Sequence, residues 1–445
     1  MRSTDYDVAV IGGGPAGSSA AITLARRGLR VALFESRTYP QERLCGEFLS
    51  PECAGYLAAL GLSWRVAALH PVSIGRVTVT APDQTAWEAP LPAPAMGLSR
   101  GALDTALAEE AQRAGADLRE ASAVTGLVGS LAEGFELEVI SRARPGSSAG
   151  PSTVLARAVI AAHGKRGMLD RALGRRFLNR PQPFVAAKAH FHGPPVPGRI
   201  ELHAFPGGYC GLSEIEGDRR VVCFLVHERV FREHSGSQGA GARGIERFVA
   251  WMVSQNLYLR SWMQWAERIS ERWISIAQVP FTPKSPFERG VLMAGDAAGL
   301  IVPLAGDGIA MALDGGMLAA EQVACFLEGE ISAEQLRRSY PAGWQRRFGG
   351  RLRLGRLLQP VMLDPRLVSW ALRTMNAVPW LGRFLIRHTR ERNAVAVGPA
   401  PAAAAVPVTG YQRLEGGESE ELFSQGAGGQ PEGGNETEQR SGLNE

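Results

Sequence analysis

The chain has 445 residues, 45% hydrophobic and 21% charged, enough for two or three structural units around a sizeable core. Net charge is +4, but the eight acids after Gln412 face only Arg413 and Arg440, so residues 1–411 carry about +10. No basic run interleaved with aromatics argues for nucleic acid, and five widely spaced cysteines (Cys45, Cys53, Cys210, Cys223 and Cys325) without a C-x-x-C argue against a disulfide framework or a zinc site.

That cysteine usage predicts a reducing compartment. With no signal-peptide pattern and no run of roughly 18 apolar residues, the expectation is a cytoplasmic protein without a spanning helix. Basic residues are nearly all arginine; the only lysines are Lys165, Lys188 and Lys284.

Residues 6–35 read as strand, glycine turn, helix, strand. Residues 8–11 are an apolar run short enough for a strand buried on both faces. Gly12, Gly14 and Gly17 fit G-x-G-x-x-G, Pro15 stands near the first helical position, and Gly28 stops the helix after about Arg27. Gly12 allows the tight turn, Gly14 lets the backbone approach a pyrophosphate, and Gly17 lets helix and strand pack closely. The helix N-terminus turns free N–H groups and partial positive charge to the phosphates. Glu35, closing the second strand, accepts from a ribose hydroxyl and disfavours a 2′-phosphate. This stretch predicts a bound dinucleotide. Gly239, Gly241 and Gly244 repeat the spacing but follow the polar FREHSGSQ, so a surface loop is expected there.

Arg43, Cys45, Gly46 and Glu47 lie in a short loop, followed by a helix over 51–60 that stops at Gly61 and a strand over 70–80. Residues 81–94 are proline-rich and read as irregular. Ser99 caps and Gly115 stops the next helix, with Arg100 at its start, in reach of a phosphate. Residues 117–141 read as two or three short strands, 143–152 as a loop, and 154–162 as an apolar strand returning to the first sheet. From 184 to 226 the pattern alternates, with turns at Gly207-Gly208 and Gly217-Asp218, which predicts an antiparallel sheet. His190 and His192 share a strand face, yet no convincing ligand set completes them, so no metal is expected. Residues 245–267 are helical and bulky, with Phe248, Trp251, Met252, Leu257, Trp262, Met263 and Trp265; they form core or line a large apolar substrate.

Residues 290–316 are the second informative stretch. A short strand ends at Gly295-Asp296, and a glycine-rich loop leads to a helix from about Gly308. An Asp at a strand's end can take a ribitol or ribose hydroxyl, and the N–H groups of Gly306 to Ile309 can face a carbonyl or an anionic ring. Helix continues to about Arg392, including the amphipathic, basic, Trp-containing segment 369–390, which packs on the body or lies on a bilayer. From Gly398 the chain is of low complexity.

YDVAVIGGGPAGSSAA with Glu35, the loop RLCGEFLSP, Arg100 in LSRGALD, and GDAAGLIVPLAGDGIAMAL together resemble the flavoprotein superfamily of p-hydroxybenzoate hydroxylase and geranylgeranyl reductase, over about residues 5–330. The R-x-C-G loop and the P-x-x-G-[DE]-G run look closer to the geranylgeranyl reductase branch. The resemblance implies an α/β fold: a Rossmann-like FAD-binding domain, discontinuous in sequence (1–80, 100–175 and 285–330), with an inserted antiparallel β-sheet substrate-binding domain (81–99 and 180–284), a helical C-terminal region (331–395) and a disordered tail (396–445). It implies FAD contacts at Gly12, Gly14, Pro15, Ala16, Gly17, Glu35, Ser36, Arg43, Cys45, Gly46, Arg100, Val124, Gly295, Asp296, Pro303, Gly306, Asp307, Gly308 and Ile309. It also sets Cys45 and Glu47 near the reaction.

Two departures stand out. His163-Gly164, followed by Lys165-Arg166, occupies the place where relatives commonly carry an Asp-Gly pair linked to FAD and NAD(P)H. Glu47 replaces a glycine of the reductase branch's Cys-Gly-Gly-Gly, either as a proton donor or as a loop carboxylate. The W-x-W-x-I-P run of the tryptophan halogenases is absent, WISIAQVP at Trp273 being a partial echo.

The implied activity is hydride transfer from reduced flavin to carbon–carbon double bonds of a lipophilic, isoprenoid- or polyketide-like substrate, with NAD(P)H or a donor protein supplying electrons. The alternatives are a monooxygenase that hydroxylates or epoxidises through a flavin hydroperoxide, and a flavin-binding protein that delivers a lipid or serves a partner. No nucleic-acid partner is expected, and the basic C-terminal helix is compatible with peripheral membrane association.

Overall fold

The structure is a computed structural model and describes residues 4–141, 150–236 and 241–388, all within one compact unit. The chain opens with β1 (Tyr6–Ile11), α1 (Pro15–Arg26), β2 (Val31–Phe34), β3 (Phe48–Leu49), α2 (Cys53–Ala59), α3 (Ser63–Ala68), β4 (Val72–Thr80), β5 (Ala86–Gly97) and α4 (Arg100–Arg113). Next come β6 (Asp117–Arg119), β7 (Ser122–Ser130), β8 (Gly134–Ser141), β9 (Pro151–Ala161) and α5 (Met168–Ala172). They are followed by β10 (Phe184–His192), β11 (Arg199–Phe205), β12 (Gly208–Ile215), β13 (Arg219–His227), α6 (Glu228–Ser235), α7 (Ala242–Ser254) and α8 (Leu257–Met263). β14 (Glu267–Arg268), β15 (Ile274–Ala277), β16 (Phe287–Glu288) and β17 (Val291–Met293) precede α9 (Gly308–Leu327), α10 (Ala333–Leu363), α11 (Pro365–Ala377) and α12 (Pro379–His388).

The first sheet has the order β16-β17-β9-β1-β2-β6, with β8 joining β9 to β7. Its centre is parallel: Val8 pairs with Val31 on one side and Ala158 on the other. All of β2 and β17 and residues 8–11 of β1 are buried, as continuous apolar strands covered on both faces must be. α1 and α9 pack together on this sheet. A Cβ at Gly316 of α9 would fall 2.0 Å from the Ala16 carbonyl oxygen, and Ser19 Oγ donates to the Leu313 carbonyl at 2.9 Å. α9 is long and apolar enough to cross a membrane by length and composition, but 67% of its most apolar window is buried, so it is a core helix here.

The second sheet runs β14-β10-β13-β12-β11-β4-β5-β3, with β15 also paired to β10. β10 to β13 are antiparallel as expected, and Gly207, Gly217 and Asp218 turn with positive φ. Two expectations are corrected. Residues 72–80, assigned to the first domain, form β4 and lie in the second sheet, parallel to β11. Residues 81–94 are not irregular, because most of them belong to β5. β5 is an edge along most of its length, since β3 pairs only with Met96 and Gly97, so Pro90, Pro92 and Pro94 need no outward N–H.

Alternation along β10 divides the second sheet's faces. Val185, Ala187, Ala189 and Phe191 pack with Phe248, Met252, Leu259 and Trp262 of α7 and α8. Thus α7 and α8 form core behind the sheet and do not line the face opposite. That face carries Ala186, Leu225, Tyr209, Ala204, Val77 and Val79, covered by Val368 and Leu372 of α11. The repeated glycine spacing near 239 opens a helix, not a nucleotide turn: Gly241 caps α7 and Gly244 lies inside it, while Gly239 is outside the described residues. The expected tail from 396 is likewise outside them.

Candidate active site

The glycine turn between β1 and α1 has the geometry its residues require. Gly12 has φ 105°, and a Cβ there would meet the Ala162 carbonyl oxygen at 2.4 Å. A Cβ at Gly17 would sit 1.8 Å from the Gly12 oxygen. Gly14 differs: the nearest atom to a Cβ there is the far end of Arg100, at 3.4 Å, so space is kept clear at the start of α1. α1 has no side-chain cap, and Pro15 takes its first position. Glu35 is buried behind the turn. One oxygen accepts from the Gly13 N–H at 3.0 Å; the other accepts from Arg43 Nη2 at 2.7 Å and Ser36 Oγ at 3.2 Å. Tyr39 closes the turn from outside, donating to the Gly13 carbonyl at 2.5 Å.

The second stretch meets the first directly. Gly295, with φ 59°, approaches Ala16 so closely that a Cβ would lie 2.8 Å from the Ala16 methyl. Asp296 follows it, and its carboxylate makes no hydrogen bond or ion pair within the described residues. Pro303 starts a short turn that ends at Gly306 in the left-handed region, after which Asp307, Gly308 and Ile309 begin α9 without a side-chain cap. Asp307 itself is turned into the protein, where it accepts from Ser50 Oγ at 3.2 Å and pairs with Arg351. Its carboxylate is therefore committed to holding α9 against α10, which leaves the expected cofactor contact to its backbone N–H. Val124 lies buried in the core of the first sheet.

The R-x-C-G loop lies between these two turns and the second sheet. Cys45 Sγ accepts from the Glu47 N–H at 3.4 Å, shaping the loop, and nothing lies within 4 Å of a Cβ at Gly46. Glu47 adopts φ 53°, a conformation that favours glycine. It is completely buried. Its carboxylate accepts from Lys188 Nζ at 2.6 Å, from His190 Nε2 at 2.6 Å and from the Arg100 backbone N–H at 2.8 Å. Burial pushes this carboxyl up, but the His190 hydrogen bond and the Lys188 charge outweigh it and hold the group below the usual carboxylate range. Glu47 is an ionised hub, and the proton-donor role is unsuited to it. Glu42, 43% exposed, accepts from Lys188 at 2.6 Å on the solvent side.

His190 therefore does acquire carboxylate neighbours: Glu42, Glu47 and His190 place ligand atoms within 4.8 Å of one another. The Lys188 ammonium already sits between the two carboxylates and does a cation's work there. His192 is apart, exposed, with Nδ1 3.1 Å from the Asp218 carbonyl.

Arg100 lies beside Gly14, but its guanidinium is paired in two-pronged fashion with buried Asp104, at 2.8 and 2.7 Å. His163, where the resemblance implies an acidic residue, lies 3.1 Å from Asp170. Lys165 donates to the Leu44 carbonyl at 2.8 Å, and Lys284 donates to the carbonyls of Lys165 and Asp296 at 2.6 and 2.7 Å. All three lysines of an arginine-rich chain thus converge on this junction. Their rarity was the available signal for Lys188, which spacing alone did not single out.

The opened space at Gly14 and Gly46, two uncapped helix starts and the unpartnered Asp296 carboxylate fit a dinucleotide with a polyol arm. Residues 5–207 match the FAD binding domain family. The chain is 26% identical to a menaquinone reductase of Mycobacterium tuberculosis, over 81% of this chain and 85% of that one. It is 28% identical to a digeranylgeranylglycerophospholipid reductase of Methanosarcina mazei, over 77% and 81%. In fold it resembles the flavin-dependent brominase Bmp2 (TM-score 0.68, 20% identity, 85% and 93% covered). It also resembles a geranylgeranyl bacteriochlorophyll reductase-like protein of Thermoplasma acidophilum (TM-score 0.67, 21%, 83% and 90%). The chain carries an FAD binding domain and is an FAD-dependent oxidoreductase, similar over most of its length to a menaquinone reductase and a digeranylgeranylglycerophospholipid reductase.

Proposed function

We propose that this oxidoreductase reduces carbon–carbon double bonds of a lipophilic, isoprenoid-like substrate. The observation that carries the reading is the second sheet's inner face beneath α11: Val77, Val79, Ala204, Tyr209 and Leu225 make it apolar, and Lys188 and His190 are the basic side chains set into it. The Tyr209 hydroxyl accepts from the Leu304 N–H at 3.1 Å, tying this face to the turn before α9. An apolar wall beside a fixed pair of basic side chains suits an alkene that needs a hydride and a proton. The named relatives, reductases of a menaquinone and of a digeranylgeranyl lipid, agree with a long apolar substrate.

Gly12, Gly14, Pro15, Ala16 and Gly17 would hold the FAD pyrophosphate, Glu35 with Ser36 and Arg43 its ribose, and Gly295 and Asp296 its polyol, with Gly306, Gly308 and Ile309 facing the ring. When bound and reduced, FAD supplies the hydride equivalent. The chain's own residues exclude water, orient the alkene and manage the proton. Glu47 fixes His190 through Nε2 and Lys188 through Nζ, and the half-exposed Glu42, 3.9 Å from His190 Nδ1, links His190 to solvent as the route for the proton. Cys45 holds the loop's shape.

The test is a single turnover. Holoenzyme reduced without oxygen by dithionite is mixed with a geranylgeranyl lipid, and product is identified by mass. A gain of two hydrogens per double bond supports the proposal. A product gaining one oxygen atom, formed only in air, would replace it with the monooxygenase reading. Bleaching by NADPH or NADH, compared with dithionite, separates a nicotinamide donor from a protein donor, the latter being favoured by His163 in place of the acidic residue.

A further inference from the structure

α11 and α12 cover the second sheet's inner face and bury one side each. Val368 and Leu372 of α11 enter its core, and Gly382 brings α12 so close to Trp87 that a Cβ would lie 2.2 Å from the indole. Their outer sides are apolar as well. Leu367 and Trp370, three residues apart on α11, are 46% and 68% exposed, and Trp380 of α12 is 61% exposed. Arg366, Arg373 and Arg383 are exposed among them; Arg373 pairs with Asp83, whereas Arg366 and Arg383 have no ion-pair partner among the described residues. Residues 365–388, which hold both helices, contain four arginines, no lysine and no acid.

We propose that the outer face of α11 and α12 docks on an anionic bilayer surface. Exposed indoles interleaved with exposed arginines on the outer sides of the two helices match the interfacial zone, where the rings sit at headgroup level and the guanidiniums meet lipid phosphate. The complementary charge is negative. An acidic protein would satisfy the arginines but would leave Trp370, Trp380 and Leu367 without an apolar medium. Docking here lays the inner face of the second sheet one helix layer from the membrane. The proposal does not depend on which lipophilic compound is the substrate.

The test is co-sedimentation of full-length holoenzyme with vesicles of phosphatidylcholine alone or mixed with phosphatidylglycerol. Binding is expected to the anionic vesicles, to fall with added salt, and to drop about 30-fold in R366Q/R383Q, at roughly fivefold for each arginine. W370S/W380S is expected to lose binding as well, with its flavin spectrum and thermal midpoint kept. W64S, which removes an exposed tryptophan on α3, is expected to bind as wild type. No binding to anionic vesicles, equal binding to neutral ones, or an equal loss in W64S would overturn the proposal. So would salt-sensitive binding unaffected by W370S/W380S, which would point to an acidic partner surface. Failure here leaves the single-turnover result standing, and the reverse holds equally.

Discussion

Glu47→Gln isolates the charge of the buried hub from its shape. Glutamine fits the same space, keeps the φ of 53° and can still accept one hydrogen bond, but it leaves Lys188 and His190 facing a neutral group at 2.6 Å. Removing one partner of a buried ion pair costs about 3–5 kcal/mol. Glu42 still compensates Lys188 from its half-exposed position, so the lower end, about 3 kcal/mol, is expected. The pH dependence has a definite sign. Because the folded carboxyl is held below its unfolded value, its contribution is fully present above the unfolded pKa, about 4.3, and is lost as pH falls through the folded value. Lys188 is shifted the other way: burial pulls it down, but Glu47 and Glu42 hold it above the usual lysine range. Its contribution is present below about pH 10.4 and lost as pH rises through the folded value. Urea unfolding followed by tryptophan fluorescence should show a constant deficit for E47Q near neutral pH that narrows in acid. A deficit under about 1 kcal/mol, or one that persists unchanged below the folded pKa, would refute the hub. Adding Lys188→Met should recover part of the loss, giving a coupling energy of the buried pair.

Gly316→Ala should loosen FAD without touching it, because the new methyl would fall 2.0 Å from the Ala16 oxygen and 2.1 Å from Ser19 Oγ. Overpacking of about 1–3 kcal/mol would part α1 from α9, and tenfold weaker FAD retention in a dialysis assay is expected, unchanged retention contradicting it. Burial pushes Lys284 down to about 8, against the pull of Asp296 and Asp170. Since the unfolded chain binds the proton more tightly, wild type should gain stability as pH rises from about 8 to 10.4, by up to about 3 kcal/mol, and Lys284→Met should abolish that rise in urea midpoints. Glu35→Gln should weaken FAD binding about tenfold by releasing the Gly13 N–H and Arg43, and wild-type affinity in fluorescence titration would rule that out.

The glycine turn was readable from its residues because every constraint on it is local: the strand before, the helix after and the acid at the next strand's end all fall within 30 residues of sequence. The same holds for the Gly295-Asp296 stretch and α9. β5 was not readable, because proline's missing N–H disfavours a central strand, and only sheet order reveals that β5 is mostly an edge. The membership of β4 in the second sheet was hidden for a like reason: alternation names a strand but not its partner.

The chain's local chemistry by itself determined that a dinucleotide fold is present, where its two glycine-rich turns lie, and that an antiparallel sheet interrupts them. Only the tertiary structure decided what the charged groups do. Glu47 meets Lys188 and His190 across 141 and 143 residues, and Asp307 meets Arg351 across 44. Such pairings have no periodic signature, because they are set by which sheet face turns toward which loop. A carboxylate that spacing presents as a free acid or a cofactor ligand becomes, once buried against cations, an ionised strut.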